Sequence, residues 1–221
     1  MVERFWGGGG YTYLAIGNSI TIHPVTDFWW SECGMAASAP EYDYYHLVCD
    51  GLNEFYEKGV LEPWGNINGM PFIFYVWEIQ SHDRTETYSL LDEYLNHDID
   101  LITVQLSENC TDLSTFEVDF KSLLLHIKKR CGSNAEIIVI DDFWSEEKHS
   151  IKDDVCAELG ISFVDLSDIW GNDKYLAGMG TIVTGDDGEE RIIEHSGVAA
   201  HPGDNAMQEI AQRVLEIVNN N

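Results

Sequence analysis

Five short runs of apolar, aromatic and β-branched residues recur along this chain: YTYLAIG at 11–17, DYYHLVC at 43–49, DLITVQL at 100–106, EIIVID at 136–141 and ISFVDLS at 161–167. They are nearly continuous rather than alternating. Strands covered on both faces read this way, and such strands belong to parallel sheets with helices on either side. The segments between them carry the helical period. Phe116, Phe120, Leu123, Leu124 and Ile127 share one face behind STFE at 114–117, which has the form of a capping box. Ile151, Val155 and Leu159 predict a helix behind Ser145, and Tyr88, Leu91, Tyr94 and Leu95 predict one before the third run. Met207, Ile210, Ala211, Val214, Leu215 and Val218 predict a last helix, with Asp204 as its N-cap. Strands alternating with helices predict a three-layer α/β/α sandwich around a five-stranded parallel sheet. Two long stretches, 50–85 and 168–203, stand outside this alternation. The second carries GDDGEE at 185–190, expected to be the solvated turn of a hairpin.

A length of 221 residues suits one large domain, expected over 11–221 after a flexible segment at 1–10 that ends in GGGG. The 39 acidic residues outnumber 12 Lys and Arg, for a formal net charge of −27, so nucleic-acid backbones and anionic lipid surfaces are repelled. No membrane segment is expected either, because PFIFYVW at 71–77 is far shorter than the roughly 20 apolar residues that cross a bilayer. The start, MVERFWGGGG, lacks the basic and apolar regions of a signal peptide, which predicts a cytoplasmic protein. Cys33, Cys49, Cys110, Cys131 and Cys156 are odd in number and form no C-x-x-C pair; free thiols are expected, mostly buried. The histidines show no metal-ligand spacing, and neither a metal nor a cofactor is expected.

Chemistry enters with LAIGNSIT at 14–21. A strand ending at Gly17 leaves the Ser19 hydroxyl at a sheet edge, where it either caps a helix or serves as a nucleophile. Acyl transfer by serine needs an imidazole to take the hydroxyl proton and donors aimed at the developing oxyanion. His201 stands in the loop before the last helix, Asn109 just past the third predicted buried run of the sheet, and Gly34 in ECGMAAS, where a backbone N–H can approach a ligand closely.

Four blocks in order, GNSIT at 17–21, GMAAS at 34–38, QLSEN at 105–109 and AHPGDNAM at 200–207, resemble those of the SGNH (GDSL-type) serine hydrolases. The resemblance spans nearly the whole chain. It implies a flavodoxin-like sandwich and an esterase acting on small-molecule esters, short acyl groups on a carbohydrate or similar alcohol. It makes Ser19 the nucleophile, His201 the general base, and the Ser19 N–H, the Gly34 N–H and the Asn109 amide the oxyanion hole. One position departs: Val198 stands where the family places the aspartate that orients the histidine. Glu194 is a candidate replacement, a backbone carbonyl another, and a bare Ser-His dyad a third. The first block also reads GNS where GDS is commoner. Asp142, Phe143 and Trp144, with Trp29 and Trp30, are candidate pocket residues. Two rival readings are a glycan-binding module of the same fold and an acyltransferase.

Overall fold

The computed structural model describes residues 10–59, 67–80, 83–144 and 146–220. Strand β1 (Thr12–Gly17) is flanked by β2 (Asn68–Ile73) and β3 (Leu101–Gln105), followed outward by β4 (Glu136–Ile140) and β5 (Ser162–Val164). The sheet order is β2-β1-β3-β4-β5, parallel throughout, which is the flavodoxin-like order. Successive side chains of each strand point to opposite faces, so each strand feeds two cores. Leu14, Ile16, Ile102, Val104, Ile137 and Val139 pack beneath α4 (Phe116–Cys131) and α5 (His149–Leu159), together with Trp77 of the short α2 (Tyr75–Ile79) and Leu91 of α3 (Tyr88–Leu91). Tyr13, Ala15, Leu101, Ile138 and Ile140 pack against α1 (Tyr44–Glu57) and α7 (Asp204–Asn220). Three layers result, as the apolar runs predicted.

The second predicted strand is a correction. DYYHLVC at 43–49 opens helix α1, because the buried Asp43 carboxylate accepts the His46 N–H at 2.7 Å and caps the first turn. Tyr44, Tyr45, Val48 and Leu52 then fall on one buried face, so a helix hides the same residues that a strand would. The edge strand comes instead from NGMPFI at 68–73. Its Pro71 lacks a ladder donor, which an edge position tolerates because pairing is needed on one side only. The predicted capping box at 114–117 does not form: Ser114 Oγ donates to Asp112, and Thr115 precedes α4 without a side-chain cap. Asp204 starts α7, but its carboxylate accepts the Ser38 N–H at 2.8 Å and the Ser38 hydroxyl at 2.6 Å, tying the 34–38 segment to that helix. GDDGEE turns between β6 (Ile182–Thr184) and β7 (Glu190–Ile192), an antiparallel pair. A satellite core of Trp29, Cys33, Met35, Val183, Ile193 and Val198 joins this hairpin to the body and to the one-turn α6 (Ser196–Ala199).

All five cysteines are free, four of them buried. Among the described residues no helix is long and apolar enough to cross a membrane. The segment expected to be flexible falls, through residue 9, outside the described residues, as does Ser145.

Candidate active site

The strand order reverses between β1 and β3, and the crevice outside the carboxyl ends of two such strands is where open α/β sheets bind ligands. β1 ends at Gly17 and β3 at Gln105, so the turn carrying Ser19 and the loop carrying Asn109 leave the sheet side by side. Gly17 is required there, since a Cβ would lie 1.8 Å from the Thr21 hydroxyl and 2.9 Å from the Gln105 carbonyl oxygen. His201 arrives from the other end of the chain. Its Nε2 lies 2.9 Å from Ser19 Oγ, within hydrogen-bond reach. Its Nδ1 lies 2.7 Å from the Gly197 carbonyl oxygen, which makes Nδ1 the protonated nitrogen and leaves Nε2 free to accept the serine proton.

Glu194 is therefore not the orienting group: it is exposed, and a carbonyl holds the position a carboxylate would take. Val198 is buried in the satellite core. The His201 pKa is lowered from 6.5 to about 4, chiefly by burial and in smaller part by the neighbouring His23 and His195, against the opposing pull of the Gly197 carbonyl. The imidazole is neutral at neutral pH.

The cavity at this point has a volume of about 420 Å³. Ser19, Asn109 and His201 share it with the apolar side chains of Phe28, Met35, Ile73 and Val198, and with Tyr75, His23 and His195. His195 stacks on Phe28 with ring centroids 4.5 Å apart. Trp144 stands beside the pocket, its ring edge-on to His201 at 4.7 Å and its Nε1–H donating to the Ala200 carbonyl at 2.7 Å. The other aromatic candidates lie elsewhere. Phe143 is buried behind Trp144, Trp29 is buried in the satellite core, and Trp30 lies under the Arg191 guanidinium. Asp142 is fully buried and engaged by Lys152 at 2.9 Å and Lys148 at 3.1 Å.

Gly34 is a second correction. Its N–H donates to Asp43 Oδ2 at 2.9 Å, so it is not turned to a ligand. A Cβ at this residue would lie 2.5 Å from the Ile20 carbonyl oxygen, and this close packing explains the glycine. Two donors remain beside Ser19. Among the described residues no acceptor takes the Ser19 N–H, and Asn109 Nδ2 uses one hydrogen on Glu78 Oε2 at 2.7 Å, which leaves the other.

Glu78, His23, His195 and Phe28 were not singled out from the sequence as site residues. His23, four residues after Ser19, offered a spacing signal, whereas Glu78 sits in an apolar run with none. Among the described residues one group has metal-ligand atoms close together: Asp141, His149 and Asp165, within 4.8 Å of one another. His149 Nδ1 already hydrogen-bonds Asp141 at 2.7 Å, and the group is not part of the Ser19 cavity.

No protein-family model and no curated protein sequence matches the chain. Solved structures do resemble it along its length. A lipase, Lip_vut3, from a goat rumen metagenome is 10% identical over 93% of this chain and 96% of its own, with a TM-score of 0.49. A member of the lipolytic protein G-D-S-L family from Veillonella parvula DSM 2008 is 11% identical over 94% and 98%, TM-score 0.49. An acetyl xylan esterase, Est2A, from Butyrivibrio proteoclasticus is 14% identical over 97% and 65%, TM-score 0.49.

Proposed function

We propose that this chain is a serine carboxylic-ester hydrolase of the SGNH type. The observation that carries the reading is the 2.9 Å approach of Ser19 Oγ to the unprotonated Nε2 of a half-buried histidine whose other nitrogen is fixed by a carbonyl. His201 takes the Ser19 proton as Oγ adds to the acyl carbonyl carbon. The oxyanion that forms is met by the Ser19 N–H and the free hydrogen of the Asn109 amide, donors fixed before the reaction begins. His201 then returns the proton to the departing alcohol, and water, activated by the same imidazole, releases the acid from the acyl-serine.

With no carboxylate on Nδ1, the imidazolium formed in each step is stabilised by a carbonyl dipole alone, so turnover is expected to be modest. The pocket favours a small uncharged ester: Phe28, Met35, Ile73 and Val198 give it apolar walls, and its titratable lining is three histidines and one tyrosine, without a carboxylate or an ammonium. A short acyl group on a sugar or a similar alcohol fits this volume. The glycan-binding alternative has Val198 in its favour, yet a binder gains nothing from a histidine poised on a serine hydroxyl.

Hydrolysis of p-nitrophenyl acetate and butyrate by the parent, Ser19→Ala and His201→Ala tests the reading, with circular dichroism as the folding control. Turnover that collapses at least a thousandfold in both folded variants is expected from the loss of a nucleophile or its base. Parent turnover equal to theirs refutes it.

A further inference from the structure

We propose that Glu78 is a positioning residue that fixes which end of the Asn109 amide faces the substrate. The proposal rests on the esterase reading above. Glu78 lies in α2, remote in sequence from all four motif blocks, and its side chain is buried. Its two oxygens accept three hydrogen bonds: Oε1 takes the Asn18 amide at 3.0 Å and the Ser107 N–H at 2.6 Å, and Oε2 takes Asn109 Nδ2 at 2.7 Å. One carboxylate thus ties the residue before the nucleophile to the loop that carries the oxyanion donor.

Burial pushes the Glu78 pKa up, while the three donors aimed at its oxygens favour the charged form; as a carboxylate it only accepts, so it dictates the orientation of every amide it meets. Facing Glu78, Asn109 presents nitrogen, and the second hydrogen on that nitrogen remains for the oxyanion. Turned over, the same side chain would present a carbonyl oxygen to a developing negative charge. The same logic explains why the first block reads GNS. Asn18 donates to Glu78, whereas an aspartate there would set two carboxylate oxygens about 3.0 Å apart. Asn18 and Glu78 are a matched pair. Ser107 strengthens the tie: its φ of 113°, unusual for a residue with a side chain, is held by Glu78 at its N–H and by Asp142 at its hydroxyl.

Glu78→Gln separates this role from simple packing, because a carboxamide of the same shape has one acceptor oxygen for two acceptor positions. Placed to satisfy Asn18 and Ser107, it turns its NH₂ toward Asn109 and inverts that amide. The expected result with p-nitrophenyl acetate is a fall in kcat of roughly 100- to 1000-fold with KM changed less than about threefold, the range for loss of one oxyanion donor. Asn109→Ala alone should cost a similar factor, and adding Glu78→Gln to it should cost less than about threefold more. Glu78→Gln turnover within threefold of the parent, or an undiminished penalty in the Asn109→Ala background, would overturn the proposal.

The ¹⁵N side-chain resonances of Asn109, assigned by loss in Asn109→Ala, give a readout independent of turnover. They should shift strongly in Glu78→Gln, and unchanged resonances would overturn the proposal whatever the activity. If the parent shows no Ser19-dependent turnover, the esterase reading falls, while the resonances still decide whether Glu78 orients the amide. Should Glu78→Gln not fold, Glu78→Asp, which keeps the charge but withdraws it from Asn109, is expected to shift the same resonances, and their constancy refutes the tie.

Discussion

Titrating the protein across the acid range tests the proposed role of His201 separately from the rest of the site. An unperturbed imidazole of pKa 6.5 is only about 9% neutral at pH 5.5, whereas one lowered to about 4 is about 97% neutral, roughly a tenfold difference in active base. The kcat/KM profile for p-nitrophenyl acetate should therefore stay flat from pH 8 down to about 5 and fall only near pH 4. The ¹H and ¹³C shifts of the His201 ring, followed over the same range, should titrate with the rate. The same group contributes to stability, with a definite sign. The unfolded imidazole binds a proton below 6.5 and the folded one only below about 4, so the unfolded state carries more protons between those values and stability falls as pH drops through that window. Above pH 6.5 the contribution is complete. A kinetic limb at pH 6 to 7, matched by the His201 resonances, would refute the argument that burial without a carboxylate partner sets this base.

Two further substitutions test the surroundings. Val198→Asp introduces the aspartate that the SGNH resemblance implies at this position, but Val198 is 1% exposed and packs in the satellite core with Trp29, Val183 and Ile193. The expected outcome in urea denaturation is a loss of about 3 kcal/mol or more from an unpaired buried charge, with no gain in turnover; a stable, faster variant would show that the carboxylate reaches Nδ1 after all. Gly34→Ala should cost about 1–3 kcal/mol by overpacking, since its Cβ would meet the rigid Ile20 carbonyl, and should slow turnover through the neighbouring Ser19. Wild-type stability in that variant would remove the packing explanation for the glycine.

The layered fold was legible because fully buried strands and one-faced helices have different apolar periods, and four of the five predicted runs are strands of the sheet. The fifth failed for a physical reason. A seven-residue run rich in Tyr, Leu and Val serves a buried helix as well as a strand, and the capping bond from the His46 N–H to Asp43, with the face completed by Leu52, decides between them. The true edge strand hid behind a glycine and a proline. Ser19, Asn109 and His201 were legible as a constellation because each stands just beyond a regular element, and the fold gathers them around one cavity. The Gly197 carbonyl had no signal of its own, because any residue supplies one. Nor did Glu78, whose value lies in a loop 29 residues later whose course the sequence does not display.

The contact between Ser19 and His201 joins residues separated by 182 positions. During synthesis Ser19 therefore leaves the ribosome long before His201, and its hydroxyl stays an ordinary alcohol until the end of the chain has emerged and α7 has docked beside α1. Loop closure over such a span comes late and costs more entropy than any local contact. On the proposed reading, esterase activity would appear in a nascent chain only as one of its last acquired properties, and would serve as a sensitive reporter of the completed fold.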